Sequence, residues 1–195
     1  GIDAFTEITN LLTGSGNISV GITYSNITFI VTGNYTTAGN TLSNVTFTCT
    51  LGTFVSNSGT NTNLINGCIL DCSGATFYNV AFGTGTLTIN STLTVTNNAT
   101  IANVAQVTFT GTAGFIVGNL IINSSSAVYT QTLTAGNTYR VTSSISVPST
   151  LVTARGILKS SSAGNVAYFI LSPGATQDIR HFSVTDIDSS GGQTI

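Results

Sequence analysis

Apolar and polar positions alternate along much of the chain. Val45, Phe47 and Cys49 are separated by threonines, and the same pattern recurs at 86–89 and 107–110. An alternation of period two is typical of β-strands, because successive side chains point to opposite faces. The sequence therefore predicts short strands with one apolar face and one hydroxyl-bearing face. Residue types that favour helices are scarce, and we expect no helix.

The strand pattern also repeats. Thr-x-Thr pairs recur at steps of about 20 to 22 residues, with Asn66 and Cys68 in the place of one missing pair. The pairs are Thr46/Thr48, Thr86/Thr88, Thr108/Thr110 and Thr130/Thr132. A fixed period near 20 residues is typical of a solenoid, in which three short strands make one coil. The sequence therefore predicts an all-β, right-handed parallel β-helix; the alternative is an antiparallel β-sandwich, which also shows alternation and frequent turns.

Asparagine precedes several of the predicted strands. Examples are SNVTF at 43–47, INGCIL at 65–70 and YNVAF at 78–82. Asparagine and glycine tolerate left-handed backbone conformations that other residues resist. Because the spacing of these stretches is uneven, we expect asparagine at more than one corner of the coil.

The chain changes character near residue 139, where longer strand patterns begin to carry charges. We predict three parts: an N-terminal segment at 1–14, a β-helical shaft at 15–135 and a β-rich C-terminal module at 136–195. A solenoid needs its open end covered, and a terminal unit with a different pattern commonly does this. The C-terminal module is therefore expected to act as a cap.

Two stretches of the tail carry a resemblance, LTAGNTYRVTSSISV at 133–147 and ILKSSSAGNVAYFILSPGATQDIRHFSVTDIDSSGGQTI at 157–195. They resemble a module found at the C-terminal side of β-solenoid proteins in bacteriophage virions and on bacterial surfaces. The resemblance covers about residues 131–195 and implies a structural protein rather than an enzyme. Such modules continue past the GGxTI segment, whereas this chain stops there, at Ile195. The resemblance therefore implies that the module is truncated. The first residue is Gly rather than Met, which indicates a processed product or a fragment.

Charged residues make up 5% of the chain, against about 25% in an ordinary globular protein. Residues 1–139 contain no Lys or Arg, and the bases are Arg140, Arg155, Lys159 and Arg180. A formal net charge of −2 without a basic cluster argues against nucleic acid as a partner. Polar residues interrupt every apolar stretch before about 18 residues, so we expect no membrane span.

Candidate catalytic groups are few. Parallel β-helices include many polysaccharide hydrolases and lyases, and glycoside hydrolysis needs two neighbouring carboxyl groups. Before residue 139 the acids are Asp3, Glu7 and Asp71, and no cation is present to bind a substrate carboxylate. We therefore predict that the protein is not an enzyme and uses no cofactor.

Asp186 and Asp188 are the candidates for a metal site. With Gly191 they form D-x-D-x-x-G, a fragment of a calcium loop that lacks the remaining oxygen ligands. We favour a polar turn and predict no bound metal.

Three cysteines occur, Cys49, Cys68 and Cys72, and no histidine lies near them. A zinc site would therefore be short of ligands. We expect either buried cysteines in strands, or one disulfide with a free thiol.

The outward threonines form a candidate surface ladder of Thr46, Thr48, Thr86, Thr88, Thr108 and Thr110. Several ice-binding proteins present hydroxyls and methyls from regular Thr-x-Thr arrays on β-solenoids. Threonine is also a common outward residue of any strand, so the ladder by itself does not assign this activity.

The sequence favours a structural, decorating or fibre protein of a phage virion, acting through stable self-association and adhesion. Its expected location is the virion or an extracellular surface. Its expected partners are other virion or surface proteins and copies of itself, with a trimer favoured. The alternatives are a glycan-binding subunit of a cell-surface filament or adhesin, and an ice-binding protein.

Overall fold

A computed structural model of the chain describes residues 6–12, 16–18, 23–31, 35–37, 39–49, 53–56, 58–83, 85–102, 106–123, 128–147, 155–193 and 195. These residues form β-strands and no helix. The strands in chain order are β1 (Thr6–Leu12), β2 (Gly16–Ile18), β3 (Thr23–Val31), β4 (Tyr35–Thr37), β5 (Thr41–Ser43), β6 (Thr46–Cys49), β7 (Phe54–Ser56), β8 (Asn61–Ile65), β9 (Cys68–Asp71), β10 (Ala75–Phe77), β11 (Asn79–Phe82), β12 (Gly85–Ile89), β13 (Leu93–Ala102), β14 (Gln106–Gly111), β15 (Phe115–Asn123), β16 (Val128–Leu133), β17 (Thr138–Val147), β18 (Arg155–Ser160), β19 (Ala167–Leu171), β20 (Thr176–Ile179), β21 (Phe182–Thr185) and β22 (Ile187–Asp188).

The paired strands among the described residues all run parallel. Strands pair with strands of the next coil along the chain. For example, β12 pairs with β14, and Leu87 lies beside Phe109. This arrangement is a β-solenoid and confirms the predicted parallel β-helix. An antiparallel sandwich is excluded for the described part, because neighbouring strands in a sandwich run in opposite directions.

The strands stack into three faces. Face 1 contains β2, β4, β7, β10, the first parts of β13, β15 and β17, then β19 and β22. Face 2 contains the first part of β3, then β5, β8, β11, the second parts of β13, β15 and β17, and β20. Face 3 contains the second part of β3, then β6, β9, β12, β14, β16, β18 and β21.

Inward-pointing residues form one apolar core along the solenoid. Burial alternates along the strands, so that Cys68 and Leu70 in β9 are buried while Ile69 and Asp71 are exposed. Aromatic rings from successive coils are in contact, and the centroids of Phe54 and Phe77 are 5.2 Å apart. Burying such a side chain contributes about 1.5–3 kcal/mol, and the ladder repeats this contribution from coil to coil.

Two of the predicted asparagine corners adopt left-handed backbone conformations. Asn44 has φ of 51° and Asn66 has φ of 55°, and both join a face 2 strand to a face 3 strand. The Asn66 side chain donates a hydrogen bond to the Ser43 hydroxyl at 2.9 Å. Asn79 lies within β11, between faces 1 and 2, so asparagine marks more than one corner as expected.

Parallel pairing continues across residue 136, where the sequence predicts the start of a separate module. β17 pairs with β15, β18 with β16, and β19 with β17. The coils lengthen, since Thr138 pairs with Tyr168 whereas Thr23 pairs with Thr41. The described tail therefore extends the same solenoid with longer coils, and the proposed domain division rests on composition and resemblance.

The last residues turn back across the final coil. Leu171 and Gln193 form an isolated antiparallel bridge. The Gln193 amide donates to the carbonyl oxygens of Ser172 at 2.6 Å and Ala175 at 3.1 Å. Ile195 packs against the end of the core. These contacts tie the segment to the core, and the capping role of the C-terminal module stays a prediction.

Candidate functional site

The predicted threonine ladder lies on face 3. Thr86 pairs with Thr108 and Thr88 with Thr110 on neighbouring coils. The hydroxyl oxygens of Thr88 and Thr110 are 2.9 Å apart and form a hydrogen bond. Face 3 therefore presents a local two-by-two array of threonines, because alternate residues of paired strands point to the same side.

The ladder does not continue evenly towards Thr46 and Thr48. Thr46 pairs with Ile69, and Thr48 pairs with Asp71. Ile69 in turn pairs with Thr88. An aliphatic side chain and a carboxylate thus separate the first threonine pair from the second.

The assignment of Asn66 and Cys68 to the missing rung of the ladder is wrong. Asn66 lies at the corner before β9, and Cys68 is 2% exposed and pairs with Leu87 in the core. The period of the coil varies, so a count of fixed steps places the rung three residues before Ile69 and Asp71, the partners of Thr46 and Thr48. Ile69 is the outward residue there.

Asp186 and Asp188 are both engaged in turns. Asp186 has φ of 54° and accepts a hydrogen bond from the Gly164 backbone amide at 3.1 Å. Asp188 accepts one from the Ser190 amide at 2.8 Å, and its hydrogen bonds to Ser190 lower its pKa. No cluster of three or more His, Cys, Asp or Glu side chains that could hold a metal occurs in the described ranges.

Cys68 and Cys72 are both buried thiols. Burial raises the pKa of Cys68. These two thiols therefore act as small apolar core residues, as one of the two sequence interpretations expected. The side chain of Cys49 lies outside the described residues.

A groove of about 390 Å³ opens on face 1. It is lined by Thr92, Thr112, Ala113, Gly114, Phe115, Ile116, Gly136, Asn137, Thr138 and Arg140. A volume at the lower end of the range for ligand pockets, about 300–1,000 Å³, is enough for a small molecule or one unit of a polymer.

Arg140 lines this groove, and Tyr168 lies on the next coil, beside the lining residue Thr138. Arg140 lies between Ile116 and Ile170 on the neighbouring coils. Tyr168 pairs with Thr138, and its side chain is 39% exposed. The groove therefore offers a cation and aliphatic surface, and a partly exposed tyrosine lies on the coil beside it.

Sequence reasoning did not identify this site. In the sequence Arg140 is one of four bases, and Tyr168 belongs to no recurring motif. The alternation in AYFIL does place Tyr168 on the outward side, with Phe169 buried. The two residues are close because this coil is 30 residues long, as the pairing of Thr138 with Tyr168 shows. No repeat in the sequence predicts a coil of that length.

A second groove, of about 230 Å³, lies on face 2. It is lined by Asn61, Asn63, Asn79, Val80, Ala81, Asn98 and Thr100. Asparagine side chains stack beside it, since the Asn97 amide donates to Asn79 at 2.9 Å and Asn119 donates to Asn98 at 3.1 Å. These bonds hold the coils in register and leave a neutral surface of amides and hydroxyls.

Comparison with protein-family models, curated proteins and solved structures finds no match. Within the described ranges, no helix has the length and apolar character needed to cross a membrane.

Proposed function

We propose that the chain is a non-enzymatic structural protein of an extracellular assembly, and that this assembly is a phage virion. It serves there as a shaft or decorating fibre that associates with copies of itself and adheres to other surfaces. The resemblance of the tail to virion and cell-surface solenoid modules supports this setting.

The stacking of the strands carries the proposal. Parallel pairing links successive coils from β1 to β22 over one apolar core. Each coil is held by backbone hydrogen bonds to its neighbours and by side-chain ladders, so force applied along the axis is shared among many contacts. Such a body is suited to a mechanical role, and its neutral flanks are suited to contact with other proteins.

A second candidate is a filament or adhesin subunit on a cell surface that binds glycans. The grooves on faces 1 and 2 favour it, because both present amide and hydroxyl groups. Ice binding is a third hypothesis, and the interruption of the threonine ladder by Ile69 and Asp71 weakens its support.

Localisation tests the proposal directly. Gold-labelled antibodies against the purified chain are applied to phage particles and to whole cells from the source culture. We expect regular labelling of the particles, and recovery of the chain from purified particles by mass spectrometry. Labelling of the cell envelope alone would favour the adhesin, and labelling of neither would reject both.

Self-association is tested with the purified chain. Light scattering coupled to size-exclusion chromatography should give the mass of three chains. A mass of 19.9 kDa, that of one chain, at all concentrations would reject the trimer.

A further inference from the structure

The guanidinium of Arg140 has no ionic partner within the described part of the chain. The ion pair found there joins Arg180 to Asp178, at 3.1 Å. The paired neighbours of Arg140 are Ile116 and Ile170, which offer no acceptor. Arg140 is half-buried and lines the groove. A cation held in this way is available to an anion from outside.

Tyr168 supplies a flat surface on the next coil. It pairs with Thr138, and the Tyr168 amide donates to the Asn137 carbonyl at 3.0 Å, which fixes the strand beside the groove. Tyr168 is 39% exposed, although large aromatic residues are commonly buried. Its neighbour on the other side is Asp188. Arg140 and Tyr168 are therefore diagonal neighbours on face 1.

Two polar side chains of the groove, Thr112 and Asn137, have oxygen atoms that can accept hydrogen bonds. The Thr112 hydroxyl donates its proton to the Asn90 carbonyl at 2.6 Å. The Asn137 amide nitrogen donates to the Gly111 carbonyl at 3.1 Å. The Thr112 oxygen and the Asn137 amide oxygen remain as acceptors, and the second N–H of the Asn137 amide remains a donor. A ligand that suits them carries hydroxyl donors.

We propose that this groove binds a sugar unit that carries a carboxylate, within a glycan. Arg140 pairs with the carboxylate, Tyr168 stacks on the apolar face of the ring, and Thr112 and Asn137 accept hydrogen bonds from hydroxyls. A single arginine in a chain of net charge −2 does not suit a polyphosphate, which needs clustered bases. The inference deepens the adhesive role proposed above and rests on it.

Calorimetric titration of the intact chain tests this site. The probes are oligosaccharides that contain uronate or sialate units, and the same oligosaccharides with each carboxylate converted to a methyl ester. We expect at least one carboxylate form to bind at least about tenfold more tightly than its ester, with an affinity that falls as salt increases. Arg140→Gln should abolish the difference, and Tyr168→Ala should weaken both forms about tenfold.

Matched variants separate the site from general effects. Arg180→Gln makes the same change of charge in an exposed residue, and Val184→Ala truncates a side chain that is 46% exposed on face 3. Neither should alter binding, and circular dichroism should show all four variants folded. A loss of binding in Arg180→Gln equal to that in Arg140→Gln would overturn the proposal.

Two further outcomes would also overturn it: no probe binding with a Kd below about 10 mM, or free sulfate competing as well as the matched oligosaccharide. Antibody labelling of particles does not depend on sugar binding. A chain that labels particles but binds no probe would therefore reject this site alone and leave the structural role in place.

Discussion

The hydroxyl oxygens of Thr88 and Thr110 lie 2.9 Å apart on successive coils of face 3. Beneath them the strands are already joined by backbone pairing, so this bond adds to an existing contact. A hydrogen bond of this kind contributes about 0.5–1.5 kcal/mol to stability. We expect Thr88→Val or Thr110→Val to lower the free energy of unfolding by about 1 kcal/mol or less, measured by urea denaturation. The double variant should lose no more than the larger single loss, and a loss above about 3 kcal/mol would contradict this account.

The broken ladder leads to an expectation about ice. An ice-binding face needs a regular array, and Asp71 introduces a hydrated carboxylate between the threonine pairs on face 3. We expect the chain to show no thermal hysteresis in osmometry at high protein concentration. Hysteresis that disappears on Thr110→Tyr would show that the array from Thr86 to Thr110 is sufficient and that our account of the interruption is wrong.

Gly114 and Gly74 occupy equivalent places, each directly before a strand of face 1. A Cβ atom on Gly114 would overlap the Thr138 carbonyl of the next coil, whereas one on Gly74 would have its nearest contact 3.8 Å away, at Thr53. We expect Gly114→Ala to cost about 3 kcal/mol or more, because the coils must separate. Gly74→Ala should change stability by less than about 1 kcal/mol.

Thermal and urea unfolding of the two glycine variants measure the difference. Equal stabilities of Gly114→Ala and Gly74→Ala would contradict this account. They would show that Gly114 and the Thr138 carbonyl are further apart than in the structure.

Gln131 is a polar residue in an apolar place. It is 1% exposed, it pairs with Val107 and Leu158, and neither atom of its amide has a hydrogen-bond partner among the described residues. An unsatisfied buried polar group costs about 1–3 kcal/mol. We expect Gln131→Leu to raise the free energy of unfolding by that amount.

Gln193 provides a control of opposite sign for Gln131→Leu. Its amide donates to two carbonyl oxygens, of Ser172 and Ala175, so Gln193→Leu should lower stability by about 1 kcal/mol or more. Parallel urea titrations measure both variants. A destabilised Gln131→Leu would indicate that the Gln131 amide has a partner in solution.

Much of the architecture follows from the sequence. The alternation of residues such as Val45 and Phe47 with threonine predicts the strands, and the recurrence of this pattern predicts coils. Asn44 and Asn66 were also predicted at corners, because asparagine adopts a left-handed conformation readily.

The register of the coils could not be predicted, and the groove depends on it. Thr46 pairs with Ile69 after 23 residues, Leu87 with Phe109 after 22 and Thr138 with Tyr168 after 30. Turn length sets these offsets, and turns tolerate insertions that leave the strands unchanged. Arg140 and Tyr168 are close because one coil is unusually long. A repeat of constant length, counted along the sequence, would not place them side by side.

Cys68 links burial to pH. Its side chain is 2% exposed, and burial raises its thiol pKa above the ordinary value of 9.0. The folded chain therefore holds this proton more tightly than the unfolded chain. The resulting stability is fully present below pH 9.0 and is lost as pH rises above it, by at most about 1.4 kcal/mol per pH unit.

Urea titrations between pH 7 and 11 measure this dependence, with Cys68→Ala as the comparison. Tyr24, whose pKa burial also raises, is present in both proteins and contributes equally to both profiles. We expect the wild type to lose more stability than Cys68→Ala above pH 9.0, the ordinary pKa of the thiol. Because the thiolate is the reactive form, iodoacetamide should also label Cys68 only after unfolding. Parallel profiles together with rapid labelling of the folded chain would show that the thiol is exposed and that β9 does not face the core.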